Sequence, residues 1–337
     1  MVNRTHLALK ANDRSYFAIL KKEIHVLAQS AGFSDSKVGE IDIVVAELVS
    51  NLSKHAQNGR LFVRLFEKKS IQGLELICMD DGPGMADVRR MMADGVSTKN
   101  TLGTGLGAIH RLSDIFQCYS VKGWGTISLI RFFTRKEDAF TKPPPVQFGA
   151  VVVPKPEETA CGDGAYITQN SHYVKIMLGD GLGHGPDAAK AVEAAGAAFL
   201  SSALIDPAEL IREMHTAVKR TRGLVATVAV FDITAKLWRI CGVGNVGARL
   251  QGPGFYKNYV PYNGIVGLNL PGTMNVQELP YEKEQCLIMA SDGLKSRWDT
   301  SKYYGIGRYD PSILAASLLK DYVRGTDDAS VAVCRIN

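Results

Sequence analysis

Three consecutive prolines, Pro143-Pro144-Pro145, constrain this 337-residue chain more than any other feature. A proline has no backbone N–H to donate, so neither a helix nor a central strand can run through the triplet, which favours a stiff extended spacer. The approach to it, Arg135-Lys136-Glu137-Asp138, is charged, and the stretch 136–147 reads as a linker. Each side of it holds a full set of helical and strand-like patterns, and ~150 residues per domain is an ordinary size. The sequence therefore predicts two domains, 1–135 and 148–337.

Hydrophobic residues make up 46% of the chain and charged residues 22%, the balance of soluble globular protein. The net charge of +5 is spread out, and no basic run marks a nucleic-acid track. No apolar stretch approaches the ~18 residues of a membrane helix, and the N-terminus lacks a signal-peptide pattern. No nucleic-acid or membrane partner is expected, and the compartment reads as cytoplasmic. Cys78, Cys118, Cys161, Cys241, Cys286 and Cys334 are isolated, without CxxC spacing. Buried reduced thiols fit them better than disulfides or zinc ligands.

In the first half, Phe17, Leu20, Ile24 and Leu27 recur at helical spacing, and Gly32 is a plausible stop. Ser34 or Asp35 can cap a second helix with the stripe Ile41, Val45, Leu48, Leu52, ended by Gly59. Residues 61–67, 74–79 and 126–133 read as strands. A layer of helices on one face of a mixed sheet follows. The second half reads as strands, two Ala-rich helices, more strands, a helix near 311–323 and a final strand.

Glu47 and Asn51 lie four residues apart on the second helix, so they project side by side, with His55 one turn on. The apolar stripe covers the other face. An amide oxygen suits Mg²⁺, a hard cation that keeps waters and is shared with phosphates. Asp80-Asp81-Gly82-Pro83-Gly84 follows a strand and Gly103-Thr104-Gly105-Leu106-Gly107 opens a helix. The glycine loop also fits a loose dinucleotide fingerprint, but polar residues 95–100 precede it where that fold needs a strand, and no Walker lysine follows. Backbone amides at a helix start can cover phosphates instead.

In order and spacing these motifs resemble the GHKL (Bergerat) ATP-binding fold of gyrase, Hsp90, histidine kinases and MutL. The short Glu47–His55 helix looks most like the RsbT/RsbW-type serine kinases that act on bacterial anti-sigma-factor antagonists. That resemblance implies an α/β sandwich binding ATP and Mg²⁺, with Asn51 holding the metal and Glu47 as general base. Asp80 would accept from the adenine amino group, Gly82 and Gly84 would let backbone approach the ring, and Thr126 would lie near adenine. Gly103, Gly105 and Gly107 would cover the phosphates, with Lys99 adding charge.

After residue 150, four aspartates sit in short glycine or serine motifs: Asp163 in Gly-Asp-Gly, Asp180 in Gly-Asp-Gly-Leu-Gly-His-Gly, Asp292 in Ser-Asp-Gly and Asp327 in Thr-Asp-Asp-Ala-Ser. Three of them read as following strands. Spacing alone leaves four ordinary Asp-Gly turns open. Were they to converge without a cation, each pair ~4 Å apart would repel by roughly 4 kcal/mol at an effective dielectric of ~20. The motifs resemble SpoIIE/RsbX-type phosphatases of the metal-dependent (PPM, type 2C) class, an αββα sandwich. The resemblance implies two Mn²⁺ or Mg²⁺ ions bridged by Asp180, with the Gly181 carbonyl, Asp292 and Asp327 completing the set. Asp163 would hold an outer ion or its water, with Asp328 in reserve and His184 outside the ligand set. The arginine motif of the eukaryotic enzymes is absent, which leaves the phosphate contact unassigned.

The chain as a whole is thus expected to be an α+β protein joining a kinase-like and a phosphatase-like domain. It would be a bacterial partner-switching regulator that phosphorylates and dephosphorylates a STAS-type antagonist, with Asp180 and Asp292 catalytic alongside Glu47. The rival makes the first domain a non-catalytic module that sequesters a sigma factor or antagonist, or a sensor of ATP. Mere binding needs no general base, so Glu47 favours catalysis. Partner identity and oligomeric state are not legible.

Overall fold

The computed structural model describes residues 2–3, 5–10, 14–68, 71–92, 105–135 and 144–337. By its contacts the chain divides into two units, 6–142 and 1–5 with 143–337. The chain opens with two short strands, β1 (Val2–Asn3) and β2 (Leu7–Lys10), and only the second belongs to the first unit. Helix α1 (Arg14–Ser30) follows, and then α2 (Asp35–His55), which starts where the Ser34 hydroxyl accepts the Lys37 N–H at 3.3 Å. The stripe predicted for α2 is buried. The helix ends at His55, before Gly59, because Ala56 turns extended while its N–H closes the last turn on the Leu52 carbonyl.

Strands β3 (Arg60–Lys68) and β4 (Ile71–Asp80), helices α3 (Val88–Met92) and α4 (Gly105–Leu112), and strands β5 (Ile115–Val121) and β6 (Gly125–Phe133) complete this unit. The sheet runs β2-β3-β4-β6-β5 with every ladder antiparallel, where the sequence suggested a mixed sheet. Alternation explains the one-sided core: Leu61, Val63, Leu74, Leu76 and Phe132 point toward Leu20, Ile24, Ile41 and Leu48 of the helices. Burying each such side chain contributes about 1.5–3 kcal/mol.

The second unit has two antiparallel sheets. Strands β7 (Val146–Val153), β8 (Asp163–Gln169) and β9 (Tyr173–Gly181) precede α5 (Pro186–Ser201) and α6 (Pro207–Ala217). Then come β10 (Leu224–Asp232), β11 (Leu237–Val243), β12 (Gly247–Gly252), β13 (Phe255–Tyr259), β14 (Gln277–Pro280), β15 (Cys286–Ala290), α7 (Pro311–Tyr322) and β16 (Ala329–Ile336). One sheet is ordered β1-β8-β9-β10-β11-β14, the other β13-β12-β15-β16-β7. Ile176, Leu178, Phe231 and Trp238 meet Val152, Leu287 and Met289 between them. Val192, Phe199, Leu210 and Met214 of α5 and α6 cover the outer face of the first sheet. Helix α7 packs on β7 and β16. The layers are αββα, as expected. No helix among the described residues is long and apolar enough to cross a membrane, and all six cysteines are unpaired.

Candidate functional site

In the first unit, α2 presents Glu47 and Asn51 half-buried on one side. Gly105, the first residue of α4, stands against them: a Cβ added there would lie 2.7 Å from Glu47 Oε2 and 3.7 Å from Asn51 Oδ1. The exit of the glycine loop therefore reaches the polar pair. Asp80 ends β4, and its Oδ1 accepts the Gly82 N–H at 2.7 Å. That turn abuts the end of α2, since a Cβ on Gly82 would fall 2.7 Å from the His55 carbonyl. Thr126 lies opposite Asp80 on β6, its hydroxyl 2.9 Å from that of Ser120. Gly84 has φ +66°, and a Cβ on it would sit 2.0 Å from the Val121 carbonyl, so no other residue fits. Gly107 is buried in α4. Lys99 and Gly103 lie outside the described residues.

In the second unit the aspartates gather at the strand ends on one rim. Asp163 opens β8 and lies directly opposite Asp180, the penultimate residue of β9. Asp292 follows β15, and Asp327 precedes β16. Two of the four thus stand at strand ends and two at strand starts, because antiparallel neighbours bring an end and a beginning together. Burial is the largest cause pushing the Asp180 carboxyl up, followed by the charges of Asp163, Asp292, Asp327 and Asp328. Asp163 is also raised, by burial first, against the opposing hydrogen bonds of Ser291 and Ser330.

Neighbours hold the carboxylates in place. Ser291 Oγ donates to Asp163 Oδ2 at 2.6 Å, and Asn245 Nδ2 donates to Asp292 Oδ2 at 2.7 Å. Asp328 accepts from the backbone N–H groups of Lys155 and Gly162, each at 2.7 Å. Both its oxygens therefore staple loops together, while Asp327 beside it stays half-buried. Gly181 is buried, its N–H on the Gly162 carbonyl at 2.9 Å. The His184 ring is engaged on both nitrogens, by Glu158 at 2.8 Å and Lys155 at 3.1 Å. Asn245 belongs to no motif and carried no signal in the sequence. Ser291 was visible only as part of Ser-Asp-Gly.

The donor set suits divalent cations. Asp163 Oδ1 is buried without a hydrogen-bond partner, and several carboxylates share one rim. Among the described residues no three carboxylate, imidazole or thiolate groups stand close enough together to hold a metal ion between them. A hard cation such as Mg²⁺ takes only one or two carboxylates and keeps several waters, so an open rim is compatible with it.

Residues 10–131 match the histidine kinase-like ATPase domain family, and residues 170–335 match the stage II sporulation protein E (SpoIIE) family. The serine/threonine-protein kinase RsbT of Bacillus subtilis is 36% identical over 100 residues, 30% of this chain and 75% of RsbT. The chain belongs to the RsbT-like kinase-domain family, and its second unit matches the SpoIIE family. Phosphoserine phosphatase RsbX of the same organism is 26% identical over 141 residues, covering 42% of this chain and 70% of RsbX. A chain from a solved structure of the bacterial stressosome is 27% identical with a TM-score of 0.54, covering 56% of this chain and 99% of that one. An RsbT-like kinase domain therefore precedes a SpoIIE-type PPM phosphatase domain in a chain of partner-switching type. Membership implies ATP for the first and divalent metal for the second.

Proposed function

We propose that this protein is a bifunctional switch acting on one partner, a STAS-type anti-sigma-factor antagonist. The first unit transfers phosphate from Mg-ATP to a serine or threonine of that partner, and the second removes it. The observation that carries the reading is the convergence of Asp163, Asp180, Asp292 and Asp327 on one rim, with Asp180 facing the charges of its neighbours. The kinase half is supported by Gly105 set against Glu47 and Asn51.

In the second unit these aspartates and the Gly181 carbonyl would hold two divalent ions. Ions so held supply charge to offset the phosphoryl oxygens and lower the pKa of water. Asn245 and Ser291 keep Asp292 and Asp163 aimed, and Asp328 fixes the loop beneath them. The net reaction is a phosphoseryl ester plus water giving serine and phosphate. In the first unit, Asn51 would ligate Mg²⁺ beside the ATP phosphates, and Glu47 would take the proton of the attacking hydroxyl.

Incubating the full-length protein with ATP and a cognate STAS protein tests the pair of activities on phosphate-affinity gels. Asp180→Asn should let the phosphorylated partner accumulate, and Asn51→Ala should leave only dephosphorylation. If the Asp180 variant accumulates none while wild type clears a pre-phosphorylated partner, the first unit is a docking or sensing module instead.

A further inference from the structure

We infer that Lys155 is the cation that meets the substrate phosphoryl group, an inference that rests on the phosphatase reading above. The segment Val153-Pro154-Lys155-Pro156 leaves β7, and the two prolines fix φ on either side of the lysine. The Glu158 N–H donates to the Lys155 carbonyl at 3.0 Å, closing a tight turn with Pro156 second and Glu157 third, at φ +77°. The lysine N–H is itself bonded to Asp328, the neighbour of Asp327. Lys155 therefore stands on a stiff turn pinned to the carboxylate rim.

Its ammonium lies 3.1 Å from His184 Nε2, four residues past Asp180. An ammonium only donates, so Nε2 accepts, and Nδ1 carries the ring hydrogen toward Glu158 Oε1 at 2.8 Å. The imidazole acts as a bracket that holds the ammonium beside the Asp180–Gly185 turn. Charge shows why a cation is needed there. Two divalent ions offset four of the five carboxylates, so a phosphate ester, bearing about two negative charges itself, meets a rim that is still negative. Arg222 also lies near this turn, but Asp187 pairs with it at 3.1 Å. Lys155 has no carboxylate within ion-pair distance among the described residues. A compact ammonium on a flexible stem suits a phosphoryl oxygen.

The test titrates inorganic phosphate into the full-length protein with Mg²⁺ by calorimetry, beside steady-state hydrolysis of an aryl phosphate. Lys155→Gln should weaken phosphate binding and raise KM by about tenfold, the ordinary worth of a hydrogen bond to a charged group. Its kcat and Mg²⁺ midpoint should change little, and Lys155→Arg should restore most of the loss. Wild-type phosphate affinity and KM in Lys155→Gln overturn the inference. Loss of Mg²⁺ binding in that variant overturns it too, because the side chain would then serve the carboxylate rim and not the phosphate. Hydrolysis surviving chelator would sink the two-metal reading, while the phosphate titration still decides on Lys155.

Discussion

Replacing Asp180 by asparagine should stabilise the metal-free protein while abolishing its phosphatase activity. In the fold this carboxyl is pushed up to about 9, by burial first and then by four neighbouring aspartates, from the ordinary 3.8. An acid whose folded pKa is raised costs stability as pH climbs from the unfolded toward the folded value. Each pH unit in that window costs about 1.4 kcal/mol. At pH 7, some three units above the unfolded value, the cost is about 4 kcal/mol, and relaxation with water entry reduces it to roughly 2–4. Asparagine has the same shape and takes up no proton on folding. In a unit of this size that gain is roughly 5–15 °C in Tm. Thermal unfolding of full-length wild type and variant, followed in chelator from pH 5 to 9, measures it. The wild-type transition of the second unit should fall with rising pH, and the Asp180→Asn curve should be flatter and higher. Added Mg²⁺ should raise the wild type and leave the variant nearly unmoved. A variant equal to or below wild type at pH 7 without metal would refute the reasoning.

Asn51→Ala should abolish Mg-ATP binding in calorimetry, whereas Glu47→Ala should keep nucleotide affinity and lose phosphoryl transfer, since a base acts mainly in the transition state. Gly105→Ala places a methyl 2.7 Å from Glu47 Oε2, and its transfer rate to a STAS protein should drop at least about tenfold as the carboxylate is displaced. Glu75 is fully buried between Arg64 and Arg131, at 2.5 and 2.6 Å. Burial would raise its carboxyl, but the two guanidiniums outweigh this and hold it well below the usual range. Its stabilisation is therefore present above the ordinary glutamate value and lost as pH falls below it. Glu75→Gln should cost about 3–5 kcal/mol at pH 7, read by urea unfolding, and less in acid.

Much of both sites was legible because motif and strand end coincide. Asp80 closes β4 and Asp180 nearly closes β9, each where an apolar run stops and glycine begins. Topology was harder to read. The sequence puts the end of α2 at Gly59, yet the backbone leaves the helix at Ala56, and no side-chain pattern announces that change. Strand β13 carries no strand signal because four of its five residues are exposed, so it lacks the alternation of a half-buried edge. Strand β5 escaped for a similar reason, with only Cys118 and Tyr119 buried. Asn245 and Lys155 were invisible because each reaches its partner across the fold, over 47 and 173 residues of sequence.

The register that sets Asp163 opposite Asp180 also bears on how this sheet folds. In mid-ladder β8 and β9 pair small and apolar residues, as Ala165 with Leu178 and Ile167 with Ile176, and the turn end pairs Thr168 with Lys175 and Gln169 with Val174. At the rim end the same ladder brings two carboxylates face to face, a pairing that antiparallel strands disfavour. Local preference and global architecture conflict there and nowhere else along this pair, which is what frustration means on a folding landscape. The zipper should close from its turn end through the apolar middle and reach the carboxylates last. The cost of that final step is then met by whatever cation enters, and the rim is the part of the sheet that opens most readily.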